Sequence, residues 1–71
     1  MNDNLPEVIS IAMQASELAA LAQLAKRLDY DTCRRLSSKH TTYGLRTEAD
    51  VMWSAIASLR RELAAAGYAP R

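Results

Sequence analysis

Cysteine occurs once, at Cys33, so no disulfide can form within the chain. A lone thiol fits a reducing compartment better than a secreted, cross-linked scaffold. Soft metal ligands are as scarce. Cys33 and His40 are the sole cysteine and histidine, and two such ligands do not close a tetrahedral zinc site. No metal and no other cofactor is expected. Residues 1–25 hold no Lys or Arg, so the charged start of a secretion signal is missing. No apolar run approaches the ~20 residues of a membrane span. These absences together point to a cytoplasmic chain with no membrane association.

Phenylalanine is absent and tryptophan occurs once, as Trp53. A chain of 71 residues forms one domain over residues 1–71 and buries only about 60% of the surface its unfolded form exposes. Such small cores are usually reinforced by disulfides, a metal or a partner. With the first two excluded, self-association or a protein partner is expected.

The net charge of +1 hides an asymmetry. Asp3, Glu7 and Glu17 face no cation within residues 1–25, a local charge of −3. Residues 26–46 carry Lys26, Arg27, Arg34, Arg35, Lys39 and Arg46 against Asp29 and Asp31, a local charge of +4. Residues 47–71 balance three acids with three arginines. A solvated helix face is the usual cause of such runs, and a binding patch for anions is the functional one.

Periodicity predicts a helix over residues 48–66. Ala49, Met52, Ile56, Leu59, Leu63 and Ala66 recur at heptad spacing, which makes an a/d stripe. Thr47 and Asp50 suit its start as a capping box. Gly67 and Tyr68 suit a Schellman ending, and Pro70 stops the helix. A second helix is expected over residues 16–28, where Leu18, Leu21, Leu24, Ala25 and Leu28 share an arc opposite Gln23, Lys26 and Arg27. A third short helix fits residues 30–38, with Asp29 as its cap and Cys33 and Leu36 inward. Lys39–Arg46 is polar, contains Gly44 and reads as a loop.

Residues 8–13 are ambiguous between strand and helix. On a helix, Val8, Ile9, Ile11 and Met13 would scatter around the axis. On a strand, Ile9, Ile11 and Met13 share one face, and that reading is preferred. A single strand has no partner in its own chain and would pair with another copy or another protein.

A short strand followed by the helix SELAALAQLAKRL and a second short helix resembles the ribbon-helix-helix repressors over residues 8–37. That resemblance implies a dimer whose paired strands enter the DNA major groove. The groove-facing residues would be Val8, Ser10 and Ala12, none of which is an Arg, Lys, Asn or Gln of the kind that reads base edges. The acidic N-terminal third would also repel phosphate. The ending LRRELAAAGYAPR and the KRL-containing helix are similar to short uncharacterised proteins of phages and other mobile elements. This second resemblance implies an accessory protein or an inhibitor of host defence, of the anti-CRISPR kind, acting by binding.

His40 sits among Ser37, Ser38, Thr41 and Thr42, which suggests a nucleophile–base pair. No carboxylate within residues 32–47 could orient it, and no nucleophile turn is present, so a surface histidine is the expected role. Cys33 lies beside Arg34 and Arg35, neighbours that lower a thiol pKa, yet a cysteine on the apolar side of a short helix is more often core. Arg34, Arg35, Lys39 and Arg46 are candidate partner-binding residues. Trp53 joins them as a ring at the edge of the stripe, where interface tryptophans concentrate. The expectation is a mainly α, three-helix domain with a candidate N-terminal strand, ribbon-helix-helix-like and homodimeric. It would have no catalytic residues and would bind a protein partner by occlusion; the alternative is a small DNA-binding regulator.

Overall fold

Helix α3, Glu48–Ala65, is the surface on which the rest of the chain is assembled. The computed structural model describes residues 5–68, so Asp3 and Pro70 lie outside the described residues. Before α3 come α1, Ala15–Arg27, and α2, Tyr30–Leu36. Between α2 and α3 lies a two-stranded antiparallel hairpin, β1 Thr42–Tyr43 and β2 Arg46–Thr47. The fold is thus mainly helical, with three helices, as the periodicity predicts. Both other helices and both strands pack on α3.

Two features of the N-terminal half differ from expectation. Residues 6–14 adopt no regular structure, so the strand over 8–13 is not formed. Among the described residues the two strands present pair with each other, and neither pairs with this segment. Val8, Ile9 and Ile11 are left 92%, 77% and 64% exposed. Helix α1 then starts one residue early, with Gln14 as N-cap, its backbone N–H donating to Glu17 Oε1 at 2.9 Å. Its inward face is rotated toward Ala22. Ala22 and Ala25 are buried while Leu24, placed in the stripe, is 55% exposed. Small side chains on that face let α1 approach α3 closely, since the residues at the contact set the interaxial distance.

Helices α1 and α2 are joined by Leu28 and Asp29 alone, both extended. Asp29 caps α2 as expected, accepting from Thr32 N and Thr32 Oγ1, each at 2.7 Å. Cys33 is a core residue at 4% exposure. Leu36, expected to join it, is the last residue of the helix and is 71% exposed.

The stretch read as a loop contains the hairpin. Thr42 pairs with Thr47 and Tyr43 with Arg46 across a two-residue connection, Gly44–Leu45. Gly44 has φ +67° and no other residue of the turn is left-handed. A positive φ confined to the first turn residue is the II′ pattern, whose twist matches paired strands.

The a/d stripe of α3 is covered from within the chain. Ala49 and Leu63 are buried, and Met52, Ile56 and Leu59 half-buried, whereas Ala66 is exposed. The Cα trace extends 16 Å along its shortest axis, and the buried set consists of Ala22, Ala25, Cys33, Ala49 and Leu63, four of them small.

The C-terminus of α3 closes as a Schellman motif. Tyr68 N–H donates to Leu63 O at 2.8 Å and Gly67 N–H to Ala64 O at 3.0 Å, with Gly67 at φ +94°. No atom would meet a Cβ there, so only backbone conformation opposes a side chain. Gly67→Ala should therefore cost about 1 kcal/mol, read as a lower urea midpoint with an unchanged slope. An unchanged midpoint would show that the cap contributes nothing to stability.

Candidate functional site

Three of the four expected basic residues, Arg34, Arg35 and Lys39, are brought together at an open cleft of about 610 Å³ between α2 and the hairpin. Arg34 and Arg35 lie on the α2 wall, in the last turn of the helix, and Lys39 on the loop that follows. Cations in a last helical turn also offset its unpaired carbonyls, so both arginines have a structural reason to be there. The opposite wall is the hairpin. Thr42 and Thr47 are cross-strand partners and line the cleft, while Tyr43 and Arg46, one step along each strand, do not. Period-two alternation separates the two pairs.

Hydrogen bonds fix the connecting loop. Ser37 Oγ donates to Arg34 O at 2.8 Å, Ser38 N–H donates to Glu48 Oε1 at 2.8 Å, and His40 N–H donates to Ser38 Oγ at 3.2 Å. The loop is thereby tied to the first turn of α3, across the cleft floor formed by Ala49. Charge in the cleft is mainly positive. Asp31 is the opposing carboxylate, and Arg34 approaches it at 3.9 Å with both side chains well exposed. An exposed pair of that kind contributes ~0–1 kcal/mol, so it restrains Arg34 weakly. Arg35 donates one N–H to Thr32 Oγ1 at 3.2 Å, and Lys39 has no ion-pair partner among the described residues.

Arg46 and Trp53 stand apart from this cleft. Arg46 donates to Asp50 O at 3.4 Å on the other hairpin face. Trp53 is half-buried and meets Tyr30 edge-on, with ring centroids 6.5 Å apart and planes at 78°. The Tyr30 hydroxyl donates to Asp50 Oδ1 at 2.7 Å. Asp50 therefore serves two roles, since its N–H also donates to the N-cap Thr47 Oγ1 at 3.2 Å. Its carboxylate, expected to close a capping box, is engaged by Tyr30. Tyr30 and Trp53 together clasp α2 to α3.

Sequence reasoning missed the hydroxyl wall and the Glu48 link to Ser38. The available signal for the wall was Gly-Leu as a two-residue turn between Thr-Tyr and Arg-Thr, residue types that favour strands. The Glu48 link joins positions ten apart and has no local signature. No group of three His, Cys, Asp or Glu among the described residues could hold a metal ion. Among the same residues no helix is long and apolar enough to cross a membrane.

A family model described as a family of unknown function (DUF7706) matches residues 1–71. The chain belongs to that family. Neither a curated protein nor a solved structure matches the chain. The family carries no assigned activity to the cleft, so its chemistry has to be argued from its own residues.

One carboxylate and one phenol illustrate how these contacts tune charge. The Thr32 hydroxyl and then its N–H hold Asp29 below the ordinary carboxylate value of 3.8. Donation to Asp50 holds the Tyr30 phenol above its ordinary value of 10.0. A raised phenol contributes stability that is complete below the unfolded value and lost as pH rises through the folded one. Ultraviolet phenolate titration should thus show one of the three tyrosines ionising late, and Asp50→Ala should restore an ordinary value. Simultaneous ionisation of all three in the parent protein would contradict the clasp.

Proposed function

We propose that this protein is a non-enzymatic binding protein that engages an acidic surface of a protein partner through the α2–hairpin cleft. The observation that carries the reading is the convergence of Arg34, Arg35 and Lys39 on one cleft whose lining contains a single carboxylate, Asp31. The resemblance to short mobile-element proteins supports an accessory or inhibitory role, of the anti-CRISPR kind, in which occupying the partner's surface is the whole action. The lone, buried thiol of Cys33 supports a cytoplasmic setting.

Affinity capture from host lysate with the intact protein, compared with the Arg34→Glu/Arg35→Glu variant, tests this reading. Both arginines are exposed, so the reversed chain should keep its circular dichroism spectrum. Partner recovery should fall at least about tenfold, chiefly through slower association. Glu7→Lys is the control of opposite sign, preferred to Glu17, which caps α1. Loss with Glu7→Lys and none with the double reversal would place binding on the acidic arm and overturn the proposal.

The exposed run Leu5, Val8, Ile9 and Ile11 supports a second reading, that two copies associate through this arm. Adjacent exposed apolar residues of this size are characteristic of interaction sites. Sedimentation equilibrium should return twice the chain mass of 7.9 kDa at micromolar concentration, and Val8→Asp/Ile11→Asp should return the single mass. A parent protein that stays at the single mass at high concentration would end this reading.

A further inference from the structure

We propose that the acidic feature received by the α2–hairpin cleft is a phosphate monoester on a protein side chain, a phosphoserine or phosphothreonine. The inference rests on the reading of the cleft given above and adds the chemistry of the group it takes.

The argument is one of donors and acceptors. A hydroxyl has one O–H to give and two lone pairs to receive with. Ser38 Oγ already receives His40 N–H, and Thr47 Oγ1 already receives Asp50 N–H. Each keeps its O–H free to donate, beside one remaining lone pair. Arg34, Arg35 and Lys39 are donors without acceptor capacity. Arg35 gives one N–H to Thr32 Oγ1 and keeps the other four.

Donors thus face the cleft from both walls, while Asp31, Ser37 (whose O–H goes to Arg34 O) and Tyr30 (whose O–H goes to Asp50) offer acceptors. A carboxylate presents two oxygens in one plane, which suit a guanidinium fork approaching from one wall. A phosphate monoester carries about −1.5 to −2 charge and three terminal oxygens arranged tetrahedrally. Such a group accepts from α2 on one side and from the hairpin on the other. A cleft of about 610 Å³ also falls within the ~300–1,000 Å³ of small-group binding sites.

The source of the phosphate follows from what the cleft lacks. Nucleotides are held in part by stacking of the base on an aromatic face. The aromatic ring in the lining is Tyr30, and it is occupied, with Trp53 against its ring and Asp50 on its hydroxyl. A phosphorylated side chain needs no such platform.

Isothermal titration of the full chain with blocked Gly-phosphoserine-Gly, its Glu and Ser counterparts and a nucleoside monophosphate tests the proposal. The phosphoserine peptide should bind at least about tenfold tighter than the Glu peptide. Arg35→Gln and Thr42→Val, both at exposed positions, should each weaken it severalfold while leaving the Glu peptide nearly unaffected by Thr42→Val. Equal binding of the phosphoserine and Glu peptides would overturn the inference and leave the acidic-surface reading standing. No binding of either, together with partner capture insensitive to Arg34→Glu/Arg35→Glu, would overturn both. Tighter binding of the nucleoside monophosphate than of the peptide would overturn the assignment to a protein.

Discussion

The constraint on which this structure depends is that one helix must supply the packing surface for everything else. The Cα trace extends only 16 Å along its shortest axis, and no large side chain among the described residues is fully enclosed. The chain answers with alanines at the closest approaches. Ala22 and Ala25 on α1 and Ala49 on α3 are almost fully buried, and small side chains at a helix contact permit a short interaxial distance. The larger residues of the α3 stripe are half-buried around that seam.

Directed hydrogen bonds supplement this thin core at each junction. Asp29 begins α2 immediately after α1 ends, Thr47 begins α3 immediately after β2 ends, and Glu48 ties the α2–β1 loop to α3. Each such bond nets only ~0.5–1.5 kcal/mol in water. Their value is geometric. They place the last turn of α2 opposite the hairpin, and the separation between those two elements is the cleft. Tyr30 acts in the same way from the apolar side, since its ring meets Trp53 while its hydroxyl reaches Asp50.

What could be read from the residues divides along the same line. The long periodic helix, its glycine ending and the Asp29 cap are governed by neighbours within one or two turns, and each is legible from spacing alone. The basic cluster was legible as composition: Arg34, Arg35 and Lys39 are close in sequence and remain close in space. Arg46 belongs to the same run of charge yet faces away, because a two-residue hairpin reverses the chain and alternation puts Arg46 on the far face. Trp53 was read as an edge residue and stands half-buried against Tyr30, a contact twenty-three positions away in sequence that no local pattern encodes. Residues 8–13 show the opposite case. Their alternation satisfies a strand pattern, but a strand is defined by its ladder, and among the described residues no strand pairs with them.

These features separate the molecule into two surfaces with different physical character. The arm before α1 is apolar and carries acid, and the cleft beyond α2 is polar and basic. Apolar association is nearly independent of salt, whereas attraction at an exposed basic cleft is screened over about 8–10 Å at physiological ionic strength. Ionic strength is therefore a physical handle that distinguishes the surfaces. On the proposed readings, a partner held by the cleft would be released as salt rises, whereas copies joined through Val8, Ile9 and Ile11 would be little affected. The same difference explains how so small a chain could present both without either interfering with the other. The arm lies outside the helices, and Arg34, Arg35 and Lys39 of the cleft are solvent-exposed, although Ala49 of the α3 seam also lines it. Changes at Arg34, Arg35 or Val8 can then alter binding while the fold, which rests on Ala49, Leu63 and the clasp at Tyr30, is left intact.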